Sequence, residues 1–356
     1  MKVLHLPSSV GGNARGLAQG ERALGLDSSV MAASDNWLAY QADISLNLQN
    51  SAGPVGKLLG LSKAFLAVRN KYDVFHFNAG SSLIHSIPYR LNHLDLPFYP
   101  STAKLFVTYN GCDARQKFPT IERTAISACR NPRCYHGMCN YGAYDEQRRR
   151  SILKMARYVR HMWAVNPDLL HFLPRERASF LPYSISWDHL DTAPLLLKTK
   201  LKIVHAPTNR EAKGSEYILA ALGKLANDRP EAVDIRLIEN IPHREAIKLY
   251  QEADLVIDQI VIGWYGGFAV ETMKMGKPVI ARIASEDLQF VPAAMAHDVQ
   301  ATVINADPDT IYDVLVKCVE DRTFLREKSQ ASIEYAHKWH DPKYVASLTK
   351  EKYEAA

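Results

Sequence analysis

The stretch at residues 253–281, ADLVIDQIVIGWYGGFAVETMKMGKPVIA, decides the fold of this 356-residue chain. An apolar run predicts a buried strand, and a loop with adjacent glycines comes after it. Good helix formers follow, and a Gly-Lys-Pro sequence ends that helix before a second apolar run. In chain order, these segments cover 255–257, 264–267, 268–275 and 279–281. Strand, loop, helix and strand in this order predict one repeat of a parallel α/β sheet.

The start of the helix in this stretch is suited to binding an anion. Gly266 and Gly267 let a ligand approach the backbone closely. The first N–H groups of a helix have no partner within it, and the helix dipole is positive there, so a phosphate is favoured. Glu271 lies about one turn further on, where its carboxylate can accept hydrogen bonds from the paired hydroxyls of a ribose. The glycines alone favour a tight turn in an ordinary βαβ unit.

The same stretch resembles the donor-nucleotide motif of GT-B glycosyltransferases, and within them the retaining family-four type (glycosyl transferases group 1). That motif has a glutamate, seven residues, a second glutamate and a Gly-Lys-Pro-Val ending. The Tyr-Gly pair at 265–266 and the residues 271–279 match it, whereas Gly263 stands where the first glutamate is expected. In the family this carboxylate usually contacts the donor sugar. Asp258 or Gln259, at the end of the preceding strand, is the candidate replacement.

The composition is that of an ordinary soluble globular protein, with 47% hydrophobic and 23% charged residues. The length suffices for two domains with separate cores. The net charge of +5 suits a polyanionic small ligand or an acidic membrane surface but is too small to indicate nucleic-acid binding. The first residues, MKVLHLPSSVGG, contain too short an apolar run for a signal peptide, and no run is long enough to span a bilayer. We therefore expect a cytoplasmic protein, either free or peripheral to the inner face of the membrane.

The beginning of the chain predicts a Rossmann-like opening. A strand at Lys2–Leu6 leads into a small-residue loop that holds Gly11 and Gly12, and a helix to about Leu24 and a second strand follow. The loop lacks a full dinucleotide fingerprint. The GT-B resemblance implies that its two glycines lie beside the donor phosphates, across the cleft from the other domain.

Two later strands carry polar groups near their carboxyl ends, where ligands bind in open α/β sheets. The first contains His76, and the second leads into the sequence Asn-Gly-Cys-Asp at 110–113. In the family this second loop often reads His-Gly-Ser-Asp, so Asn110 keeps a polar contact to the donor sugar but cannot transfer protons. His76 is then either a compensating catalytic group or a hydrogen-bonded core histidine.

Two further segments predict helices. The helix at 51–70 has apolar residues that we place on or near its buried face: Leu58, Leu59, Leu61, Phe65, Leu66 and Val68. The segment at 144–161 contains Arg148, Arg149, Arg150, Lys154, Arg157 and Arg160. If helical, 147–161 presents a basic face, which is either a solvated surface or a docking site for an anionic acceptor or a membrane.

The second half of the chain is expected to open with the strand Leu201–His205 and to hold the nucleotide sugar. Family members place an arginine and a Lys-Gly after this strand, and the two cations hold the donor diphosphate. Lys213 matches the lysine, and Arg210 is the candidate arginine. Cations near a helix start are disfavoured by the dipole unless an anion binds there. The resemblance also implies that backbone groups near Asn240 hold the nucleobase edge.

These features predict an α/β protein of the GT-B fold. Two Rossmann-like domains are expected to face each other across a cleft, and a C-terminal helix is expected to cross back to the first domain. The acceptor-side domain is placed at 1–185 with a cysteine-rich insertion at 112–140, the donor domain at 186–338, and the returning helix at 339–356.

The resemblance implies a glycosyltransferase that moves a sugar from a nucleotide-diphosphate sugar to an acceptor hydroxyl, with retention at the anomeric carbon. The acceptor is a sugar, a lipid-linked molecule or a small molecule. Arg210, Lys213 and the amides of Gly266 and Gly267 would meet the charge of the departing diphosphate, so that no catalytic metal is needed. The alternatives are a sugar-nucleotide epimerase of the same fold and a non-catalytic nucleotide-sugar binding protein.

Four of the five cysteines fall within one short segment, to which His136 also belongs. They are Cys112, Cys129, Cys134 and Cys139, whereas Cys318 is remote. The segment is rich in turn formers and poor in periodic apolar residues, so it cannot easily fold by its own packing. Four thiolates around a structural zinc are one explanation. Disulfides and unlinked thiols are the others, and a role for Cys112 in the active-site loop would leave three cysteines and His136.

Overall fold

The computed structural model describes residues 1–34, 42–51, 53–86, 89, 91–188, 190–193, 195, 197 and 199–356. Over these residues the chain forms two compact units, each built on a parallel β-sheet. The first unit comprises Met1–Gln116, Tyr141–Ser186 and Asp341–Ala356, and the second comprises Lys117–Asn140 and Trp187–His340. Most of the cysteine-rich insertion is thus grouped with the second unit, whereas the sequence analysis assigned it to the first domain.

A seven-stranded parallel sheet forms the core of the first unit. Its strands are β1 Lys2–Leu6, β2 Asp27–Ala32, β3 Ile44–Ser45, β4 Val74–Phe77, β5 Lys104–Tyr109, β6 His161–Ala164 and β7 Ala178–Phe180. They lie in the order β3-β2-β1-β4-β5-β6-β7. The order reverses between β1 and β4, and open parallel sheets bind ligands outside the carboxyl ends of the strands at such a point.

Helices from both ends of the chain cover this sheet. They are α1 Asn13–Ala23, α2 Gly53–Val68, α4 Ala143–Ala156 and α12 Pro342–Ala355. Helix α12 packs closely on α1, because a Cβ at Gly20 would lie 1.9 Å from the carbonyl oxygen of Pro342. Val345 and Tyr353 of α12 are fully buried in the core of the first unit. The expected return of the C-terminal helix to the first domain is therefore confirmed.

Helix α2 is the helix expected at 51–70, and the expected burial holds for Phe65 and Val68 but is wrong for Leu58, Leu59 and Leu66. Its buried residues are Ala64, Phe65 and Val68. Leu59 and Leu66 are 66% and 63% exposed. Apolar residues occur all around this helix, and a helix that packs on a sheet can bury only one face. Ala52, at the start of the expected helix, lies outside the described residues.

A five-stranded parallel sheet forms the core of the second unit. Its strands are β8 Leu201–His205, β9 Val233–Leu237, β10 Leu255–Ile257, β11 Val279–Ala281 and β12 Ile304–Asn305. They lie in the order β12-β11-β10-β8-β9, so the order reverses between β8 and β10. The carboxyl ends of these two strands therefore mark the expected ligand position in this unit.

Most helices of the second unit connect successive strands of its sheet. The helices of this unit are α3 Lys117–Arg123, α5 Arg210–Lys213, α6 Ser215–Asp228, α7 His243–Gln251, α8 Gly267–Lys274, α9 Ala293–Thr302, α10 Ile311–Glu320 and α11 Arg322–Trp339. Helix α3 precedes the first strand, and α10 and α11 follow the last. The stretch at 253–281 forms β10, α8 and β11, as predicted. Within the described residues, no helix has the length and apolar content that crossing a bilayer requires.

The segment 117–140 joins the second unit through backbone and core contacts. The amide of Ala128 donates a hydrogen bond to the carbonyl of Val261 at 3.0 Å. The Ala128 side chain lies in the same buried cluster as Leu201 and Ile203 of β8. These contacts explain why a segment that follows β5 in the chain belongs to the second core.

Candidate functional site

The switch point of the second sheet is held in place by a buried histidine. His205, at the end of β8, contacts the carbonyl of Ile257 through Nδ1 at 2.8 Å and the hydroxyl of Ser215 through Nε2 at 2.7 Å. Burial lowers the pKa of His205 to about 4, so the ring is neutral at physiological pH. The neutral ring links β8, β10 and α6. It thereby fixes the ends of β8 and β10 relative to the start of α6.

Three groups meet directly at this switch point. Lys213 ends α5, Asp258 follows β10, and Gly266 precedes α8. The Nζ of Lys213 lies 2.6 Å from Oδ1 of Asp258, and the amide of Gly266 donates to Oδ2 of the same carboxylate at 2.6 Å. The Asp258 side chain is fully buried, and that of Lys213 is 14% exposed. One carboxylate therefore fixes both an ammonium group and the backbone at the start of α8.

The backbone at position 266 lies close to both charged side chains. A Cβ there would lie 3.2 Å from Nζ of Lys213 and 3.4 Å from Oδ2 of Asp258. Gly266 offers no side-chain cap to α8. Among the described residues, the N–H groups of Gly267 and Phe268 have no hydrogen-bond partner. The first turn of α8 thus keeps the open amides that an anion site needs.

The structure explains why glycine replaces the first glutamate of the motif. A Cβ at Gly263 would lie only 2.5 Å from the Cβ of Ala284, so a glutamate has no room there. Gln259 donates its side-chain amide to the carbonyl of Trp264 and so holds the loop together. Of the two candidate replacements, Asp258 is the one that lies beside Lys213 and Gly266.

Arg210 has a carboxylate partner of its own. Its guanidinium contacts both carboxylate oxygens of Glu239, at 2.7 and 2.5 Å. This hydrogen-bonded pair raises the pKa of Arg210 and lowers that of Glu239. Arg210 is 54% exposed, in contrast to the nearly buried Lys213. Asn240, which follows Glu239, has a left-handed backbone with φ of 56°.

Glu271 of α8 contacts a histidine at the start of α7. Its Oε1 lies 2.7 Å from Nε2 of His243. Burial acts to lower the pKa of His243, but the hydrogen bond and the negative charge of Glu271 outweigh it and raise the pKa above the ordinary value. The pKa of the Tyr250 hydroxyl is raised by burial and then by the charges of Glu271 and Asp258. The carboxylates of Glu271 and Asp258 therefore both lie near the Tyr250 hydroxyl.

The predicted donor site is charged but nearly balanced. Its pairs are Lys213 with Asp258, Arg210 with Glu239, and His243 with Glu271. The sequence predicts that two cations hold the donor diphosphate. In the structure each cation has a carboxylate beside it, which sequence spacing did not reveal because the partners are 45 and 29 residues apart.

The carboxyl edge of the first sheet presents mainly neutral polar groups, beside the buried ion pair of Arg115 and Asp168. Several buried polar atoms there have no hydrogen-bond partner among the described residues: Nδ2 of Asn13, Oδ1 of Asn78, the hydroxyl of Tyr109, Oδ1 of Asn110, Oδ1 of Asn166 and Oγ of Ser184. These residues end or follow β1, β4, β5, β6 and β7. Buried polar groups are almost always hydrogen-bonded, so this cluster is where ligand hydroxyls or ordered water would bind.

Asn110 is held rigidly within this edge. Its amide donates to Oδ2 of Asp113 at 2.8 Å, and the side chain of Asn166 donates to its carbonyl at 2.5 Å. Gly11 and Gly12, after β1, have φ of 75° and 72°, a conformation that only glycine adopts easily. Their contact with donor phosphates stays a prediction.

Known structures match the chain along nearly its whole length, although no protein-family model and no curated protein matches its sequence. Sucrose-phosphate synthase from Thermosynechococcus elongatus superposes with a TM-score of 0.64 at 16% identity, covering 100% of this chain and 99% of the other. A glycosyltransferase from Rickettsia africae ESF-5 gives 0.59 at 13%, covering 99% and 97%. A putative UDP-N-acetylglucosamine 2-epimerase from Listeria monocytogenes gives 0.55 at 11%, covering 98% and 94%. The chain has the GT-B fold. At these identities the shared fold leaves the activity to be argued from the residues.

His76 lies inside the first unit of the GT-B fold and not at its polar edge. It is fully buried, with Nδ1 2.6 Å from the hydroxyl of Tyr353 and Nε2 2.6 Å from that of Thr108. Burial and then the nearby His5 hold its pKa well below the usual value. The structure thus supports the interpretation of His76 as a core histidine. Its burial depends on α12, which the local sequence around β4 does not indicate.

His76 belongs to a buried network around Glu21 of α1. Oε1 of Glu21 accepts a hydrogen bond from the hydroxyl of Tyr353 at 3.0 Å, and Oε2 accepts one from Ser28 at 2.6 Å. Nε2 of His5 lies 2.8 Å from the same Oε2. Ligand atoms of Glu21 and the two histidines all lie within 4.8 Å of one another. Hydrogen bonds to one another and to neighbouring hydroxyls account for this arrangement.

The cysteines predicted to bind zinc are divided between the two units of the GT-B fold. Cys112 is exposed in the loop after β5, whereas Cys129 and Cys134 lie in short 3-10 turns that contact α5. Within the described residues, no three of the ligand atoms of Cys129, Cys134, Cys139 and His136 lie within 4.8 Å of one another. The zinc site stays a prediction, and elemental analysis of wild type and Cys134→Ser, purified without added metal, tests it.

Part of the positive charge of the basic segment 147–161 is paired inside the first unit. Arg148 pairs with Asp145, both Arg149 and Arg150 pair with Glu146, and Lys154 donates to the carbonyl of Asn92. The remaining Arg157 and Arg160 line a cavity of about 620 Å³ together with Arg177. Two carboxylates of α4 accompany three of its arginines, and docking of this segment on an anionic acceptor or a membrane stays a prediction.

Proposed function

We propose that the protein is a glycosyltransferase of the group 1 type. It transfers a sugar from a nucleotide-diphosphate sugar held by the second unit to a hydroxyl of an acceptor held by the first. The observation that carries this proposal is the cluster of Lys213, Asp258 and Gly266 at the switch point of the second sheet in a GT-B fold. Retention at the anomeric carbon is proposed from the resemblance of the 253–281 stretch.

Lys213 is the proposed electrostatic catalyst. Its ammonium group has three N–H donors, and Asp258 occupies one of them. The others, with the open amides of Gly267 and Phe268, are available to the oxygens of the leaving diphosphate. Groups fixed before the reaction stabilise the charge that develops on the leaving group without reorganisation, so no catalytic metal is required. Asp258 acts through Lys213 and Gly266, as a positioning residue.

Glu271 is the proposed ribose contact. His243 engages Oε1, and Oε2 has no partner among the described residues. That oxygen can accept hydrogen bonds from the two ribose hydroxyls. Arg210 is proposed to exchange part of its contact with Glu239 for a diphosphate oxygen, which its exposure permits. The left-handed backbone at Asn240 is proposed to present its peptide groups to the nucleobase.

The acceptor is proposed to be a sugar or a lipid-linked sugar. The unsatisfied atoms at the edge of the first sheet are amide and hydroxyl groups, including Oδ1 of Asn78 and Oδ1 of Asn110. Such groups bind the hydroxyls of a carbohydrate. The pKa of Tyr109 is raised by burial, so its hydroxyl keeps its proton and serves as a hydrogen-bond donor.

A thermal-shift panel of nucleotide sugars, followed by a transfer assay with the stabilising donor, tests this function. A donor bound to the native state raises the melting temperature by mass action. We expect Lys213→Gln to lose this shift and the transfer activity, and Lys248→Gln, an exposed lysine of α7, to keep both. A wild type that no nucleotide sugar stabilises would contradict the proposal.

A non-catalytic nucleotide-sugar binding protein is the second candidate, because the closed position at Gly263 removes a carboxylate that the family uses. Incubation with donor alone and with a panel of acceptors separates the candidates. Transfer supports the first proposal, and donor binding without turnover supports the second. Epimerised sugar without any acceptor identifies the epimerase alternative.

A further inference from the structure

Helix α2 carries an apolar stripe on its outer face. Val55, Leu59 and Leu66 are 70%, 66% and 63% exposed. Their spacing, with Ser62 between them, places them on one side of the helix over three turns. Leu58 lies beside this stripe and is also exposed. We refer to Val55, Leu58, Leu59 and Leu66 as the outer stripe.

The outer stripe requires a partner, because the opposite face of α2 already packs on the sheet. Phe65 and Val68, together with Ala64, bury that inner face in the first unit. A helix that is apolar on all sides is normally covered on all sides. Clustered large apolar side chains on a surface mark interaction sites, in contrast to single exposed ones.

Basic residues surround the outer stripe. The sequence between Asp43 and Asp73 contains no acidic residue, and its cations are Lys57, Lys63, Arg69 and Lys71. Lys63 and Arg69 lie on either side of the stripe by helical spacing. The guanidinium of Arg69 stands 5.9 Å from the centre of the Phe65 ring, which holds it near the helix.

We propose that α2 is an interfacial helix that docks the first unit on an anionic lipid bilayer. The outer stripe enters the boundary between headgroups and acyl chains, and the flanking cations contact anionic headgroups. At 16 residues, α2 is shorter than a spanning helix and lies along the surface. This surface differs from the 147–161 face of the sequence analysis.

Charge favours a bilayer over a second copy of the chain. A symmetric dimer would place the same patch of each copy against the other. The cations around the stripe would then face like charges, with no acidic residue from this segment to compensate them. An anionic lipid surface supplies the complementary charge.

Co-sedimentation with vesicles tests the proposal on the full chain. We expect wild type to bind vesicles of phosphatidylglycerol and phosphatidylcholine, and to bind phosphatidylcholine vesicles more weakly. The double variant Leu59→Ser, Leu66→Ser should bind the mixed vesicles at least about tenfold more weakly, because burial of each leucine supplies part of the affinity. Lys63→Gln and Arg69→Gln should each weaken binding about fivefold, and high salt should do the same to wild type.

The matched control is Leu153→Ser with Leu249→Ser, two leucines that are 46% and 40% exposed on α4 and α7. This variant should bind the mixed vesicles as wild type does. Absence of wild-type binding, or equal binding by the outer-stripe variant and wild type, overturns the proposal. A wild-type dimer in light scattering that the outer-stripe variant abolishes also overturns it, because a second copy then covers the stripe.

Discussion

The two sheets of this chain have the same parallel layout at their switch points but carry different side chains there. At the second sheet basic and acidic groups are paired, as with Lys213 and Asp258 or His243 and Glu271. At the first sheet they are mainly amides and hydroxyls beside the buried Arg115–Asp168 pair, and several of their polar atoms, such as Oδ1 of Asn110, have no partner among the described residues. Parallel architecture therefore fixes where ligands bind, and the side chains decide which chemistry each edge accepts.

This difference matches the two halves of a transfer reaction. A diphosphate needs fixed charges and open amides, since charge develops on it as the bond to the sugar breaks. A carbohydrate acceptor needs neutral donors and acceptors of hydrogen bonds, and unsatisfied ones bind it without first breaking an internal bond. Substitutions at the two edges test this division of roles.

The largest expected effect is that of Lys213→Ala in the charged edge. Loss of a preorganised charge should reduce the transfer rate by about 10²–10³. The substitution also leaves the buried carboxylate of Asp258 without its cation, which costs about 3–5 kcal/mol of unfolding free energy. Steady-state kinetics and urea unfolding measure the two effects.

The double variant Lys213→Met, Asp258→Leu separates these effects. It removes both charges and should recover most of the stability, because well-packed apolar residues often replace a buried ion pair without loss. Transfer should remain low in this variant. Recovery of the rate along with the stability would show that Lys213 has a structural role only.

Glu271→Gln should have the next largest effect. The amide accepts weaker hydrogen bonds than the carboxylate, so the donor should bind about 1.5–3 kcal/mol more weakly. Calorimetric titration with the donor and with the free nucleoside diphosphate measures the change. Glu245→Gln, an exposed residue of α7, is the control. Wild-type affinity for both ligands in Glu271→Gln would reject the ribose contact.

A smaller effect is expected for Asn110→Ala in the neutral edge. Its side-chain carbonyl has no internal partner among the described residues, so the unfolding free energy should stay nearly constant. Loss of one neutral hydrogen bond to the acceptor should raise the acceptor KM by a factor corresponding to about 0.5–1.5 kcal/mol. If the donor KM rises instead, Asn110 contacts the donor sugar, as the family resemblance implies.

The smallest effect is a pH dependence at the charged edge. The pKa of His243 is raised in the folded state, so its contribution to stability is complete below the unfolded value of 6.5 and is lost as the pH rises through the folded pKa. The urea midpoint should therefore decline slightly as the pH rises above about 6.5, and His243→Gln should remove this part of the decline. An identical decline in both proteins would contradict the assignment.

The sequence predicts the elements and their order better than the contacts between them. The run from β10 through α8 to β11 follows from local apolar runs, glycines and helix formers. The pairing of Lys213 with Asp258 does not, because it depends on how β8 and β10 are placed next to each other. The closed position at Gly263 is set by Ala284, which lies after β11. Neither the Lys213–Asp258 pair nor the contact between positions 263 and 284 can be predicted from the local sequence.

Burial was the least predictable property. The apolar residues of α2 give no sign of which face packs on the sheet, so Leu59 and Leu66 were assigned to the wrong one. His76 stands at the expected strand end, yet Tyr353 of α12 covers it. The burial of Ala128 in the cysteine-rich segment could not be predicted either, because the side chains it packs against belong to β8.

The hydrogen bond between Tyr353 and Glu21 joins residues 332 positions apart. On the ribosome, α1 and β1 emerge early, but their core stays incomplete until α12 has been synthesised. All residues of the second unit, which ends at His340, are translated before that point. The first unit begins earliest in the chain, yet it cannot close its core before α12 has been synthesised. Its closure depends on a contact of very high sequence separation, which slows folding.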